Sequence, residues 1–500
     1  MALRTAMEVK NLINGQLCTA DSDRTADVFN PSTGEVITQV ALSSDADCDR
    51  AVQAASNALQ GWKNTPIIDR ARIMFRYRDL LEQNFEQISA LITTEHGKTL
   101  AESRAELKRG IEVVEFACGI PSLFMGQSLS NIATDVDSDV QRHPVGVCLG
   151  ITPYNFPAMV PMWMYPIALV CGNTFILKPS EKVPLSAQKL GELLLEAGCP
   201  DGVFNIVHGD RSSVDVLLAH PDVAAVSFVG STPAAKAVYA KGTAAGKRVQ
   251  AAGGAKNFCL VMPDADPDLA VKALAAASFG CGGQRCMATS IAVPVGGIAD
   301  SLVDRLSTHA DRLTVGPTHQ GDSVDMGPLI RREHVEHVES YLQAATEDSA
   351  RVALDGRRGF DSNGFLLGPS VVDHVSFDTG LAQEEIFGPV LSVVRASTLE
   401  EAIALSHQCE FGNGASIFTS SGAAARKFRE EFNAGMIGVN VGVPAPMAWF
   451  PFTGWNGSFF GDLHVQGAEG IQFYTRQKVT LTRWPERADD FEDPIWSSNR

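Results

Sequence analysis

Residues 146–181 read "GVCLGITPYNFPAMVPMWMYPIALVCGNTFILKPSE", and the same pattern runs on to "AAVSFVG" at 224–230. Four apolar, β-rich runs stand out: "GVCLGITP" (146–153), "NTFILKPS" (173–180), "VFNIVHG" (203–209) and "AAVSFVG". Helical patterns such as "PLSAQKLGELLLEAG" (184–198) and "SSVDVLLAH" (212–220) lie between them. Strand alternating with helix predicts a parallel sheet with helices on both faces. The apolar run "FPAMVPMWMYPIALVCG" (156–172) carries three prolines and is too short for a membrane span, so it predicts a buried helix.

Ligands of such sheets bind beyond the carboxyl ends of the strands. Those ends are "TPYNF" (152–156), "KPSE" (178–181), "HGD" (208–210) and "VGST" (229–232). In "FVGSTPAAKAV" (228–238) a strand meets Gly230 and then a helix with Pro233 in its first turn. Unpaired N–H groups and the helix dipole suit a phosphate there. The full G-x-G-x-x-G fingerprint is missing, so pattern alone leaves a dinucleotide site open.

A second α/β run follows, with helical "DLAVKALAAASFG" (268–280), the strand "TSIAVPVGG" (289–297) and helical "IADSLVDRLSTHADRL" (298–313). "TLEEAIALSHQC" (398–409) and "GAAARKFREEF" (422–432) continue it. "GIQFYTRQKVTLTRW" (470–484) predicts a long β segment suited to pairing with another subunit. The last stretch, "PERADDFEDPIWSSNR", is acidic and expected to be loosely held.

Five hundred residues imply two to four domains. With 45% hydrophobic and 20% charged residues the composition is that of a soluble globular protein. A net charge of −17 argues against nucleic acid as a partner. The N-terminus lacks the apolar region and cleavage site of a secretory signal, and no membrane association is expected. Ten scattered cysteines without a metal-ligand pattern fit a reducing cytoplasm.

Reactive chemistry centres on "FGCGGQRCMATS" (279–290). Gly282 and Gly283 permit unusual backbone beside Cys286, and Arg285 adds positive charge that favours a thiolate. By residue type alone, a cysteine is more often buried and inert, and Cys281 is read that way. The Asn155 amide suits an oxyanion, although loop asparagines commonly bond their own turn. Lys178 and Glu181 suit a ribose or form a surface ion pair. A Glu181 facing that ribose favours NAD over NADP. Glu384 and Glu385 in "QEEIFGPVL" (383–391) offer a carboxylate to a second ribose or are surface charge.

Taken together, the chain resembles the aldehyde dehydrogenase superfamily over nearly its whole length. The marks are "NPSTGEVI" (30–37), "ITPYNFP", "LKPSE", "FVGST", "GQRC", "EEIFGPVL", "GMIGVN" (435–440) and "PFTG" (451–454), in family order and spacing. The resemblance implies an α/β fold: two parallel-sheet α/β domains plus a β oligomerisation arm. It places an NAD-binding domain at 1–126 and 143–252, a catalytic domain at 253–440, the arm at 127–142 and 465–485, and an acidic tail at 486–500. It implies Cys286 as nucleophile and Asn155 as oxyanion donor. For NAD it implies Thr152, Phe156, Lys178 and Glu181, Gly230 and Ser231 near the pyrophosphate, Glu385 on the nicotinamide ribose and Phe387 against the nicotinamide. It also implies a homodimer or homotetramer.

One departure selects a branch. Most hydrolytic members of the family that the chain resembles carry an "ELGGK"-type segment whose glutamate activates water. Here the matching stretch is "QAAGGAKNFCLVMPDAD" (250–266), with Ala251 at the glutamate's position. A methyl group takes no proton, and general base catalysis is worth roughly 10²–10⁴-fold. A thiol acceptor needs less help. The text resembles the CoA-acylating methylmalonate-semialdehyde dehydrogenase branch, which implies CoA as co-substrate and a 3-oxopropanoate as substrate. Its carboxylate calls for arginine, and the candidates are Arg285 and Arg109, the latter in "ELKRGIEVVEFACG" (106–119). The alternative is a hydrolytic enzyme with a different base.

Overall fold

The computed structural model describes residues 8–318, 324–347, 350–360 and 363–484. The acidic tail expected at 486–500 lies outside the described residues. The first sheet has eight strands. Its five central strands, Phe204–Ile206, Thr174–Lys178, Val147–Ile151, Val223–Val229 and Arg248–Ala252, are mutually parallel. The chain leaves Val147–Ile151 toward one side of the sheet and returns at Val223–Val229 on its other side. Such a reversal opens a crevice at the carboxyl ends. Thr152 and Gly230 stand on its two lips.

The helix Met159–Val170 is buried from Val160 onward, as an all-apolar sequence requires. Its Tyr165 ring packs 4.9 Å from Phe204, and the Tyr165 hydroxyl meets that of Tyr77 at 2.6 Å. A second sheet of seven strands runs from Arg351–Leu354 to Met436–Val439 and is parallel beyond its first strand pair. A third sheet, of Thr475–Arg483, Val136–Pro144 and Gln127–Ala133, is antiparallel and forms an arm. The fold is thus α/β with two largely parallel sheets and a β arm.

The C-terminal segment differs from the expected single strand. Gly467–Phe473 is a helix, and the strand begins at Thr475. Gly467, Gly470, Ile471 and Tyr474 are buried at helical spacing, while alternation belongs only to the residues that follow. Arg248 donates to the carbonyls of Gln472, Phe473 and Thr475 at 3.0, 2.7 and 2.7 Å, satisfying groups a helix end leaves free. Among the described residues no helix is long and apolar enough to cross a membrane.

Candidate active site

The helix Pro267–Phe279 ends at a turn in which Cys281, Gly282 and Gly283 all have positive φ (53°, 61° and 73°). A Cβ on Gly283 would lie 2.1 Å from the Gly388 carbonyl oxygen, so only glycine lets this turn meet the 384–388 loop. The Cys281 N–H donates to Glu102 at 2.6 Å. Buried Gln284 donates to the Cys281 carbonyl at 3.1 Å and accepts from the Ile330 N–H at 3.1 Å. The Cys286 carbonyl accepts from the side chains of Asn257 and Asn413, each at 2.9 Å. The backbone is therefore held on both sides of the half-buried Cys286.

Asn155 lies four residues beyond its strand. Its side-chain amide donates to the Gln284 carbonyl at 3.0 Å, which joins the first sheet's crevice to the cysteine turn. The Asn155 carbonyl accepts from Lys98 Nζ at 2.6 Å. Lys98 also pairs with Glu106 at 2.6 Å, and its ammonium lies 4.2 Å from the centre of the Phe156 ring. Glu106 accepts in turn from the N–H groups of Ala158 and Met159 at 2.9 and 3.2 Å. Sequence reasoning did not single out Lys98, Glu102, Glu106 or Gln284. The available signal was the Thr99–Glu102 capping box, which places Glu106 one turn further along the same helix.

A cavity of about 260 Å³ opens at Cys286. Its lining includes Arg109, Arg285, Glu102, Glu106 and Phe156, with an apolar wall built around Trp163 and Phe452. Cys281, expected to be plain core, also reaches this lining. Arg109 lies 3.2 Å from Glu112 and touches the Met447 sulfur. Arg285 lies 3.0 Å from Glu102. The expected activation of the thiol by Arg285 is not what dominates. Burial, and then the charge of Glu385, push the Cys286 thiol up to about 12, and Arg285 opposes them only weakly.

The crevice gathers the other expected residues. The Thr152 N–H donates to the Lys178 carbonyl at 3.2 Å. Lys178 Nζ donates to the Gly209 carbonyl at 2.8 Å and lies 3.7 Å from Glu181. Burial lowers the Lys178 pKa. Gly230 is held by the Ala252 carbonyl at 3.1 Å. Ser231 precedes the helix Thr232–Ala244 without capping it through its side chain. Glu385 accepts from the Ala255 N–H at 2.9 Å, and burial raises its pKa to about 7. A Cβ on Gly254 would lie 2.4 Å from the Glu385 carboxylate. Phe387 has φ of 57°, its carbonyl accepts from His334 at 2.8 Å, and its ring meets Tyr154 edge-on at 6.0 Å. Ala251, expected at the position of a water-activating glutamate, is instead fully buried in the strand Arg248–Ala252, in the core cluster of Ile151 and Val249, while Ala252, on the opposite strand face, packs in the cluster that Cys286 borders.

This fold and cleft define an oxidoreductase class. Residues 18–480 match the model of the aldehyde dehydrogenase family, and the chain belongs to that family. It is 50% identical to the malonate-semialdehyde dehydrogenase of Halalkalibacterium halodurans over 483 residues, 96% of this chain and 99% of that one. The methylmalonate-semialdehyde dehydrogenase of Oceanimonas doudoroffii superposes with a TM-score of 0.94 at 48% identity, covering 96% of this chain and 99% of that one. A protein assigned as a methylmalonate-semialdehyde dehydrogenase from Sinorhizobium meliloti 1021, solved with NAD, superposes with a TM-score of 0.95 at 44% identity, covering 98% and 100%.

Proposed function

We propose that the chain oxidises malonate or methylmalonate semialdehyde with NAD and transfers the acyl group to CoA, losing CO₂ on the way. The observation that carries this reading is the joining of Asn155 to the turn before Cys286. The relatives' names support the substrate class, and the Sinorhizobium structure supports NAD.

The crevice residues fit a dinucleotide. The start of the helix Thr232–Ala244 has no side-chain cap and leaves N–H groups for the pyrophosphate beside Gly230 and Ser231. Lys178, Glu181 and Thr152 at the strand ends would hold a ribose, while Phe156, expected to bind NAD, instead lines the Cys286 cavity with Lys98 over its ring. Glu385 and Phe387, on the facing loop, would hold the nicotinamide ribose and ring. NAD, when bound, accepts the hydride.

The remaining steps belong to the chain. Cys286 attacks the aldehyde as thiolate. One Asn155 amide hydrogen is used on Gln284; the second, with the Cys286 N–H, stabilises the oxyanion. Arg109 and Arg285 hold the substrate carboxylate. After hydride loss the Cys286 thioester bears a β-carboxylate, so loss of CO₂ yields an enolate that takes a proton. CoA then displaces the acyl group from sulfur.

The same reading takes the enzyme as a cytoplasmic homodimer or homotetramer. Leu129 and Val479 on the arm are 59% and 63% exposed, which supports a covered arm. The alternative reading, hydrolysis with another base, draws on Glu385, whose proton is exchangeable near neutrality.

Steady-state NADH production from malonate semialdehyde, with and without CoA, tests the choice. Strong CoA dependence with acetyl-CoA as product supports acyl transfer. Equal rates without CoA favour the hydrolytic alternative.

A further inference from the structure

The cavity at Cys286 has more room, and a more apolar wall, than a three-carbon oxo acid needs. We infer that the enzyme takes 3-oxopropanoates bearing a 2-alkyl branch longer than methyl, and that this branch is what the cavity wall recognises. The inference rests on the proposed function and names its substrate class.

Volume gives the first argument. A water-sized group takes about 30 Å³. The cavity of about 260 Å³ therefore holds roughly nine such groups. Malonate semialdehyde has six non-hydrogen atoms, which are covalently bonded and so take less room than six waters. Space remains that suits a short alkyl chain.

Charge gives the second. The cationic side chains on the lining already have carboxylates of their own: Arg109 has Glu112 at 3.2 Å and Arg285 has Glu102 at 3.0 Å. Glu106, also on the lining, is neutralised by Lys98 at 2.6 Å. The cavity thus presents paired charge rather than an excess of positive charge. Every 3-oxopropanoate brings the same carboxylate to these paired arginines, so charge does not separate one from another, and the difference between them is left to the wall.

The wall gives the third. Met159, Trp163, Met287, Val443, Ala448 and Phe452 face the cavity from three separate stretches of chain. Trp163 and Phe452 pack with ring centroids 4.9 Å apart, and each is 5% exposed. With the aldehyde carbon fixed at Cys286 and the carboxylate at the arginines, the third substituent on C2 is left for this wall.

The reaction balances with any alkyl group R. OHC–CHR–COO⁻ + NAD⁺ + CoA–SH gives R–CH₂–CO–S–CoA + CO₂ + NADH. The aldehyde hydrogen leaves as hydride, the C3–sulfur bond to CoA replaces that to Cys286, the C2–carboxylate bond breaks, and C2 gains one proton, balanced overall by the CoA thiol proton.

The test measures kcat/KM for the unsubstituted, 2-methyl, 2-ethyl and 2-propyl 3-oxopropanoates on the full chain with saturating NAD and CoA. A buried methylene is worth about 0.8 kcal/mol, or about fourfold. The expected result is a rise of about fourfold per added carbon through 2-ethyl, with butanoyl-CoA as the 2-ethyl product. Val443→Phe should lower 2-ethyl turnover at least tenfold more than that of the unsubstituted acid. A tenfold or greater fall from the unsubstituted acid to the 2-ethyl acid, or equal losses on both substrates in Val443→Phe, overturns the inference and leaves the proposed function standing. Absence of CoA-dependent NADH formation from every member overturns the proposed function and the inference with it.

Discussion

Lys98 Nζ lies 2.6 Å from Glu106, with neither side chain exposed, and 2.6 Å from the carbonyl of Asn155. A buried ion pair contributes little net stability over an apolar isostere. Its geometry is therefore the informative part. Lys98 fixes the residue proposed to hold the oxyanion, and Glu106 fixes the two N–H groups that open the next helix.

Lys98→Met strands a buried carboxylate, and a loss of about 3–5 kcal/mol is expected. Lys98→Met/Glu106→Gln removes that charge and should recover most of the loss in chemical denaturation. In the double variant the Asn155 carbonyl still lacks its donor. A fall in kcat of about 10²–10³-fold is expected, the scale of losing one oxyanion donor. Cys286 alkylation should continue at close to the native rate.

The thiol itself predicts a pH profile. Cys286 is pushed up to about 12, so alkylation of the free enzyme by iodoacetamide rises with pH without a plateau below pH 9. Glu385 has a pKa of about 7, and its ionised form is part of what raises the thiol pKa. Around pH 7 the native rate should thus rise less than the roughly tenfold per pH unit expected of an isolated thiol. Glu385→Gln removes the opposing charge. The variant should follow the full slope and react faster at pH 8. An unchanged slope would mean that Glu385 does not act on the sulfur.

Glu95 gives a stability prediction. It is fully buried, accepts from the N–H groups of Leu185 and Ser186 at 2.8 and 2.9 Å, and burial raises its pKa to about 7. Its ordinary value is 4.5, so between pH 4.5 and 7 the folded chain holds a proton that the unfolded chain releases. Stability therefore falls as pH rises through that window. Glu385 adds to the same trend. Thermal unfolding should show a higher Tm at pH 5 than at pH 7.5, other groups held equal. Glu95→Gln should flatten the difference.

The parallel sheets were legible because each strand between 146 and 230 is a continuous apolar run bounded by turn residues. The cysteine turn was legible from its glycines. The C-terminal helix was missed because Gly470 and Ile471 satisfy helical and alternating patterns equally over so short a span. Lys98 and Glu106 were missed for a physical reason. Charged residues are ordinarily read as surface, and nothing in their local sequence announces that they bury one another. Likewise, "QR" before Cys286 suggests a charge that activates the thiol, whereas Glu102, nearly two hundred residues away in sequence, takes much of that charge.

Arg109 and Arg285 carry the same expected role but stand differently, and this separates them by experiment. Arg285 is held by Glu102, which also takes the Cys281 N–H, so it supports the nucleophile's turn as well as the cavity. Arg109 has 36% of its side chain exposed and pairs with Glu112 beside the Met447 sulfur. Arg109→Met should raise KM for malonate semialdehyde by about 10–100-fold, the scale of a charged hydrogen bond. Its KM for NAD and its turnover of propanal, which has no carboxylate, should stay near native values. Arg285→Met should lower kcat on both aldehydes, because Glu102 and the Cys281 turn lose their partner. Equal losses on propanal and malonate semialdehyde in Arg109→Met would remove Arg109 from carboxylate binding.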